Sequence, residues 1–470
     1  MTRLPSLGTP GEGSEGARLP ARRSRVPRPR PPRIGFLARL RDRIEQRDFL
    51  RLRARFRGRR GVLAFLAVMG PGIIAGMAGN DAGGIATYSV LGARTGLTLI
   101  WLFPVVMVIL AIVQELVARL GVVTGQGLSD LIRDRFGVRW TVFAMVVLLV
   151  ANLAQTVAEF AGIAAAGELF GIPRLISVPV AAAGLWALIL FASSRTVERV
   201  FVSVLAVFAL YIVSAFVAHP DWGEVGRALV TPNLPLDATT LLLAVALVGT
   251  TITPFMQFYL QSAVAEKGIG EDELRLERAD AIFGAVWSNV VALFIVIAVA
   301  VTLFGTGIAV NTADEAARAL EPVAGSLATI LFGIGLLGAS GLAATILPVT
   351  TAFVICEAFG WESGVGKRFS DARSFFVIFT AILAIGALVT LLPGLDPIPV
   401  ILATQNLQAL LLPIVLVFIV LLVNDERIMG RHRNGRIANV LAWGAVGLVI
   451  ALDAVLIGVT MLGLVGITIG

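Results

Sequence analysis

Four ionisable side chains lie inside long apolar stretches of the sequence, where a carboxylate is costly to keep. They are Asp81, Glu115, Glu159 and Asp453. A charged side chain in the centre of a hydrocarbon layer costs about 3 kcal/mol or more. Each of these residues therefore predicts either a buried polar pairing or a site that binds a cation or a proton.

Asp81 stands in the most unusual surroundings, because residues 79–84 read GNDAGG in the middle of an apolar segment. Each glycine weakens a helix by about 1 kcal/mol relative to alanine. We expect the helix to unwind here, with Gly79 and Gly83 as hinges. Free carbonyl oxygens beside a carboxylate suit a hard cation, and Gly84 belongs to the same predicted metal site. The alternative is a glycine-rich helix crossing in which Asp81 pairs with a neighbour.

A second interruption follows at residues 249–257, which read GTTITPFMQ. Pro254 has no N–H for the carbonyl of Thr250, so that oxygen is free to bind a cation, with Thr253 beside it. The alternative is a simple proline kink repaired by a threonine hydroxyl. The two interruptions open the two halves of the chain, and paired broken helices point to a transport site at the membrane midplane, with Pro254 as the second hinge.

Glu159 is the second candidate carboxylate, and Gln155 and Thr156 lie one helical turn before it. We predict that Glu159 and Thr156 shape a water shell or relay a proton, although a structural pairing of Glu159 remains open. Gln405 and Gln408 each offer an amide oxygen as a further cation ligand, or an interhelical hydrogen bond; Gln405 is the one assigned to the predicted metal site. Glu115 is expected to pair with Arg119, and Asp453 has no assigned role.

The elements that carry these residues are membrane-spanning helices. The chain is 57% hydrophobic and only 15% charged, against about 25% charged in soluble domains. Its apolar segments reach the roughly 20 residues that a helix needs to cross a bilayer. The expected spans are 62–92, 96–119, 140–168, 173–193, 196–218, 238–266, 276–306, 324–357, 372–394, 396–424 and 437–467. The fold class is therefore all-α, with a transporter domain over residues 61–470.

Residues 1–60 form a separate, Arg/Pro-rich segment with eighteen of the 38 basic residues. We expect a largely disordered cytoplasmic tail near anionic lipid, with no nucleic-acid partner. Basic residues also predominate in every second loop, which predicts a cytoplasmic N-terminus, an outer C-terminus and a plasma-membrane location.

The sequence shows few features that are typical of an enzyme. The chain has one cysteine, Cys356, and two histidines that do not pair, so no zinc centre is expected. No phosphate-binding loop indicates ATP use, and no catalytic dyad indicates an intramembrane protease. No cofactor is expected beyond the transported ion, and a receptor or structural role would leave the paired interruptions unexplained.

Several of these stretches resemble the Nramp family of divalent metal transporters, over roughly residues 61–435. The residues that carry the likeness are Gly70-Pro71-Gly72, Asp81-Ala82-Gly83-Gly84, Gln114 to Gly125, Ala158-Glu159 with Gly162, Pro220 to Gly223, and Thr404-Gln405 to Pro413. The resemblance implies a LeuT-like fold of two inverted five-helix repeats plus an eleventh helix, with helices 1 and 6 broken. It also implies alternating access around Asp81, Thr250 and Gln405.

Two departures from the family pattern bear on the substrate. Gly84 replaces the family's asparagine, and Thr253-Pro254-Phe255 replaces its Met-Pro-His. Loss of the soft thioether favours a hard ion such as Mg²⁺, so the chain looks like the Nramp-related magnesium transporter branch, with Mn²⁺ also plausible and proton coupling in doubt. The alternatives are a proton-coupled Mn²⁺/Fe²⁺ symporter of the Nramp type and an amino-acid carrier of the same fold.

Overall fold

The computed structural model describes residues 70–191, 212–213, 215–306, 310, 313–317, 325, 328–364 and 369–464. The expected tail over residues 1–60 and most of the expected span 196–218 lie outside the described residues. The first expected span is described from Gly70 onward.

The described part of the chain folds into α-helices joined by short connections, with two single 3₁₀ turns. The helices are α1 (Pro71–Met77), α2 (Ala82–Thr95), α3 (Leu102–Thr124), α4 (Leu128–Phe136), α5 (Val138–Leu169), α6 (Arg174–Phe191), α7 (Trp222–Val230), α8 (Ala238–Thr251), α9 (Pro254–Glu266), α10 (Leu274–Leu303), α11 (Ala313–Ala317), α12 (Ala328–Phe359), α13 (Arg373–Thr390), α14 (Pro397–Asn424), α15 (Glu426–Met429) and α16 (Arg436–Leu464).

Eight stretches of the described residues are long and apolar enough to cross a membrane. They are Leu102–Thr124, Val138–Leu169, Ala238–Glu266, Glu271–Leu303, Ala328–Phe359, Arg373–Thr390, Pro397–Asn424 and Arg436–Gly458. A shorter apolar helix over Arg174–Leu190 matches the fourth expected span. Most ends agree with the sequence prediction within a few residues; the second span is shifted, because the residues before Leu102 form turns.

Both expected helix interruptions are present. The first separates α1 from α2 at residues 78–81, and the Asp81 side chain caps α2 by accepting from the Gly84 amide at 3.0 Å. The second separates α8 from α9 at Ile252 and Thr253, and Pro254 occupies the first turn of α9. Proline is tolerated there because the first-turn N–H has no partner within the helix.

Two long helices organise the packing around these breaks. Helix α5 lies against α12, α13 and α14, and α10 lies against α1, α2 and α3. Helix α1 approaches α10 so closely that a Cβ on Gly72 would stand 2.5 Å from the Ala281 backbone. Small residues of this kind permit backbone-to-backbone contact between membrane helices. The two breaks are thereby held beside α5 and α14, which carry the remaining polar side chains.

Candidate cation site

Asp81 forms the centre of a buried polar network at the first helix break. Its side chain is only 4% exposed. One carboxylate oxygen, Oδ1, accepts from the Gly84 amide at 3.0 Å, and the other, Oδ2, accepts from Gln155 Nε2 at 2.7 Å. Both of these donors are neutral, so the negative charge of Asp81 is solvated without being cancelled.

Glu159 joins the same network from α5. Gln155 Nε2 donates to Glu159 Oε1 at 2.8 Å, and the Ala82 amide at the start of α2 donates to Glu159 Oε2 at 3.3 Å. In the part of the chain that the structure describes, no salt bridge joins Asp81 or Glu159 to a basic side chain. Two buried carboxyl groups that share one amide and lack a cationic partner leave negative charge that a cation can neutralise.

Gln405 reaches this site from α14. Its Nε2 donates to Gln155 Oε1 at 3.1 Å and to Thr404 Oγ1 at 3.3 Å, while its Oε1 has no hydrogen-bond partner among the described residues. The side chain lies directly on Gly83, where an added Cβ would stand 2.7 Å from Gln405 Cδ and 3.1 Å from Asp81 Oδ1. Gly83 lies in the first turn of α2, not in the break itself, and it is needed as a space for the amide.

The second break faces the first. A Cβ on Gly79 would stand 2.9 Å from the Thr250 carbonyl oxygen. Tyr88 links the two breaks, because its hydroxyl donates to the Gly79 carbonyl at 3.4 Å and lies 3.3 Å from Thr251 Oγ1. The hydroxyls of Thr250 and Thr253 are buried and have no partner among the described residues.

The structure thus gathers most of the residues that the sequence nominates. Asp81, Gly79, Gly83 and Gly84 lie in or beside the first break, and Thr250, Thr253 and Pro254 lie at the second, while Glu159 and Gln405 enter from neighbouring helices. Thr156 makes no hydrogen bond into this described network. Its hydroxyl donates to the Asn152 carbonyl at 2.7 Å, and its methyl group faces Gly386 on α13.

Two residues of the network are absent from the predicted metal site. The sequence gives Gln155 only as a neighbour of Glu159, and it gives Gln408 only as an alternative amide beside Gln405. Gln408 Nε2 donates to the Ala151 carbonyl at 2.7 Å and to Gln155 Oε1 at 3.3 Å. The signal that could have found Gln155 is its spacing, one turn from Glu159 on the same helix.

The other two membrane carboxylates behave differently. Glu115 pairs with Arg119 at 3.1 Å, which confirms the predicted ion pair, and also with Arg278 at 2.7 Å. Asp453 is 6% exposed, and neither of its oxygens has a partner among the described residues.

The candidate ligands at the two breaks are oxygen atoms, and the side chain of Met256 also lies against Gly79. No group of three or more His, Cys, Asp or Glu side chains that could hold a resident metal occurs within the described ranges. The candidate ligands are one or two carboxylates, amide oxygens and a backbone carbonyl, which suit hard divalent cations such as Mg²⁺, Ca²⁺ and Mn²⁺. Paired helix breaks beside buried polar groups of this kind are typical of helical membrane transporters.

The comparisons with known proteins give the family. The chain belongs to the Nramp family, because the protein-family model described as "Natural resistance-associated macrophage protein-like" matches residues 72–458. A protein of Deinococcus radiodurans named "Divalent metal cation transporter MntH" is 30% identical over 85% of this chain and 91% of its own. A relative of the same name from Granulibacter bethesdensis is 28% identical over 88% of this chain and 93% of its own.

The solved structures agree on the fold. A manganese transporter of Eremococcus coleocola superimposes with a TM-score of 0.70 at 20% identity, covering 87% of this chain and 90% of that one. MhsT in complex with L-phenylalanine gives a TM-score of 0.54 at 15% identity, covering 82% and 98%. The prediction of an all-α, LeuT-like fold is confirmed. The names of the metal-transporting relatives mention divalent metal cations and manganese, so they do not support the predicted magnesium branch.

Proposed function

We propose that this chain carries Mn²⁺ across the membrane by alternating access, with Asp81 as the charged ligand. The single observation that supports this function best is the pairing of Asp81 and Glu159 on one amide beside two facing helix breaks. The names of the relatives point to the same ion class. Carboxylate, carbonyl and amide oxygens are acceptable ligands for Mn²⁺.

The roles follow from the contacts of each group. Asp81, the Thr250 carbonyl and the Gln405 amide oxygen bind the ion, and Gly84, which packs against the Gly79 carbonyl, holds Asp81 through its amide. The Thr253 hydroxyl shapes the hydration shell. Glu159 lies one hydrogen bond from the amide that holds Asp81, so it is placed to relay a proton, as in the alternative of a proton-coupled symporter.

The alternating-access movement takes place at the two helix breaks. Gly79 and Gly83 at the first break and Pro254 at the second let the half-helices tilt, so that the site opens to one side of the membrane at a time. With the N-terminus in the cytoplasm and a plasma-membrane location, as the basic loops predict, a negative-inside potential drives uptake. Two charges gain about 4.6 kcal/mol per 100 mV.

Flux into proteoliposomes tests this function directly. We expect wild-type protein to carry Mn²⁺ inward and Asp81→Ala to lose at least about 90% of the rate. A matched control removes a carboxylate from the surface: Asp272 is exposed, and Asp272→Ala should retain the wild-type rate. Equal flux in wild type and Asp81→Ala, with both proteins monodisperse, would refute the role of Asp81. An internal pH dye reports whether protons accompany the ion.

A second candidate substrate is Mg²⁺, and one observation favours it. Thr253 stands where the resemblance expects methionine, so the donor set lacks a soft sulfur atom. Oxygen-only sites do not select Mn²⁺ over Mg²⁺ by ligand softness. Mg²⁺ flux through the wild type would support this candidate, and Thr253→Met should then raise the ratio of Mn²⁺ to Mg²⁺ flux. An unchanged ratio would mean that Thr253 does not contact the ion.

A further inference from the structure

Gln155 occupies the centre of the polar network, and every hydrogen-bonding position of its amide is in use. A glutamine amide has two N–H groups and one oxygen with two lone pairs. Gln155 Nε2 donates to Asp81 Oδ2 at 2.7 Å and to Glu159 Oε1 at 2.8 Å. Gln155 Oε1 accepts from Gln405 Nε2 at 3.1 Å and from Gln408 Nε2 at 3.3 Å.

This set of partners leaves only one orientation for the Gln155 amide. Turning the group by 180° would place its oxygen against two carboxylates and its N–H groups against two N–H groups. Every contact in the network would then join two acceptors or two donors. Because the residues are buried, water cannot compensate, and each unsatisfied buried group costs about 1–3 kcal/mol.

The fixed orientation of Gln155 also fixes the side-chain amides of Gln405 and Gln408 on α14. The Nε2 groups of Gln405 and Gln408 must point at Gln155 Oε1, so their oxygens are directed away from it. Both oxygens, Gln405 Oε1 and Gln408 Oε1, have no partner among the described residues. A free amide in a buried site could otherwise present an N–H group, which repels a cation.

We propose that Gln155 is the positioning residue of the cation site: it holds Asp81 and Glu159 together and makes Gln405 and Gln408 present oxygen atoms. Gln408 thereby becomes a second amide oxygen available to the ion. Gln155 does not contact the ion itself, since both of its donors and both of its lone pairs are occupied. This inference rests on the proposed function, and it gives Gln155 on α5 a role that the sequence did not assign.

Gln155→Met removes the amide at nearly constant length. We expect the KM for Mn²⁺ to rise about tenfold, equivalent to about 1.4 kcal/mol, with a smaller change in kcat. The buried amide Asn152 provides a matched control on the same helix, because it donates to Thr351 Oγ1 at 2.6 Å and lies outside this network. Asn152→Leu should lower thermal stability without changing the KM.

A double-mutant cycle separates positioning from packing. If Gln155 acts through Gln405, the KM of Gln155→Met/Gln405→Ala should equal that of the worse single variant within about threefold. Additive losses, or an equal rise in KM for Asn152→Leu, would overturn the inference. If Gln155→Met is not monodisperse, Gln155→Leu replaces it in the same cycle. Wild-type protein without Mn²⁺ flux, or Asp81→Ala with normal flux, would instead refute the proposed function.

Discussion

Replacing Gly83 by alanine tests whether the first helix break leaves room for the Gln405 amide. The added Cβ would stand 2.7 Å from Gln405 Cδ and 3.1 Å from Asp81 Oδ1. Ordinary contacts of a Cβ atom fall at 3.4–4 Å, so the amide must move by roughly 1 Å. Gln405 would then lose its 3.1 Å hydrogen bond to Gln155.

The expected change in KM follows from the displacement of the Gln405 amide. Loss of a buried hydrogen bond that leaves a partner unsatisfied costs about 1–3 kcal/mol, which is about 5- to 150-fold in an equilibrium constant. The local helix gains about 1 kcal/mol from replacing glycine by alanine, so overall stability should change little. We therefore expect the KM for Mn²⁺ to rise at least about fivefold in a protein that remains folded.

The assay is Mn²⁺ uptake into proteoliposomes, with thermal unfolding measured on the same preparation. Gly341 on α12 is the matched control, because a Cβ there would meet no atom within 4 Å. Gly341→Ala should keep the wild-type KM and unfold at the same or a higher temperature. A wild-type KM for Gly83→Ala would refute the reasoning, since it would mean that Gln405 does not need its observed position.

Three further predictions follow from contacts that do not involve Gly83 or Gln405. Gly72→Ala should lower the unfolding temperature and the Mn²⁺ uptake rate, because a Cβ there would stand 2.5 Å from the α10 backbone; unchanged values of both would contradict this packing. Glu115→Gln removes the charge that pairs with Arg119 at 3.1 Å and with Arg278 at 2.7 Å, so thermal unfolding should report a loss of about 1.5–3 kcal/mol in the free energy of unfolding, and no loss would contradict the pairing. Hydrogen bonds from Thr240 lower the pKa of Asp237. The stability that the ionised Asp237 side chain contributes is therefore present above about pH 4, and it is lost as the pH falls through the lowered pKa. Asp237→Ala should therefore unfold at a lower temperature than wild type at pH 7 but not at pH 2, and an equal difference at both pH values would refute this.

The helices and their breaks could be predicted from the sequence because the signals are local. Apolar length places the start of α14 within one residue of its described position, and glycine or proline marks both breaks. The second span was misplaced at its start because residues 96–101 are as apolar as a helix but form turns. Hydropathy alone does not distinguish an apolar turn from an apolar helix.

Side-chain direction was harder to predict than position. Gln155 and Thr156 precede Glu159 by four and three residues, so they flank its face of α5 on opposite sides. Spacing could not decide which one faces Asp81. The structure turns Gln155 toward Asp81 and places Thr156 against Gly386. Which of the two side chains faces Asp81 depends on contacts with Asp81 and Gly386, which are far from α5 in the sequence.

The contacts of helix α1 indicate which half of the first break can move. Every residue of α2 from Ala82 to Ala93 is buried, whereas α1 is seven residues long and partly exposed at Ile73 and Ile74. Helix α1 is held to α10 by the Asp280 carboxylate, which accepts from the Gly70 and Gly72 amides at 2.7–3.2 Å, and by glycine backbones that meet along the rest. Because α1 has seven residues and α2 has fourteen, separating α1 from its neighbours exposes less apolar surface than displacing α2, and apolar surface costs about 25 cal/mol per Å². We therefore expect α1, and not α2, to move about the hinge proposed at Gly79, while α2 keeps Asp81 in place against Gln155 and Glu159.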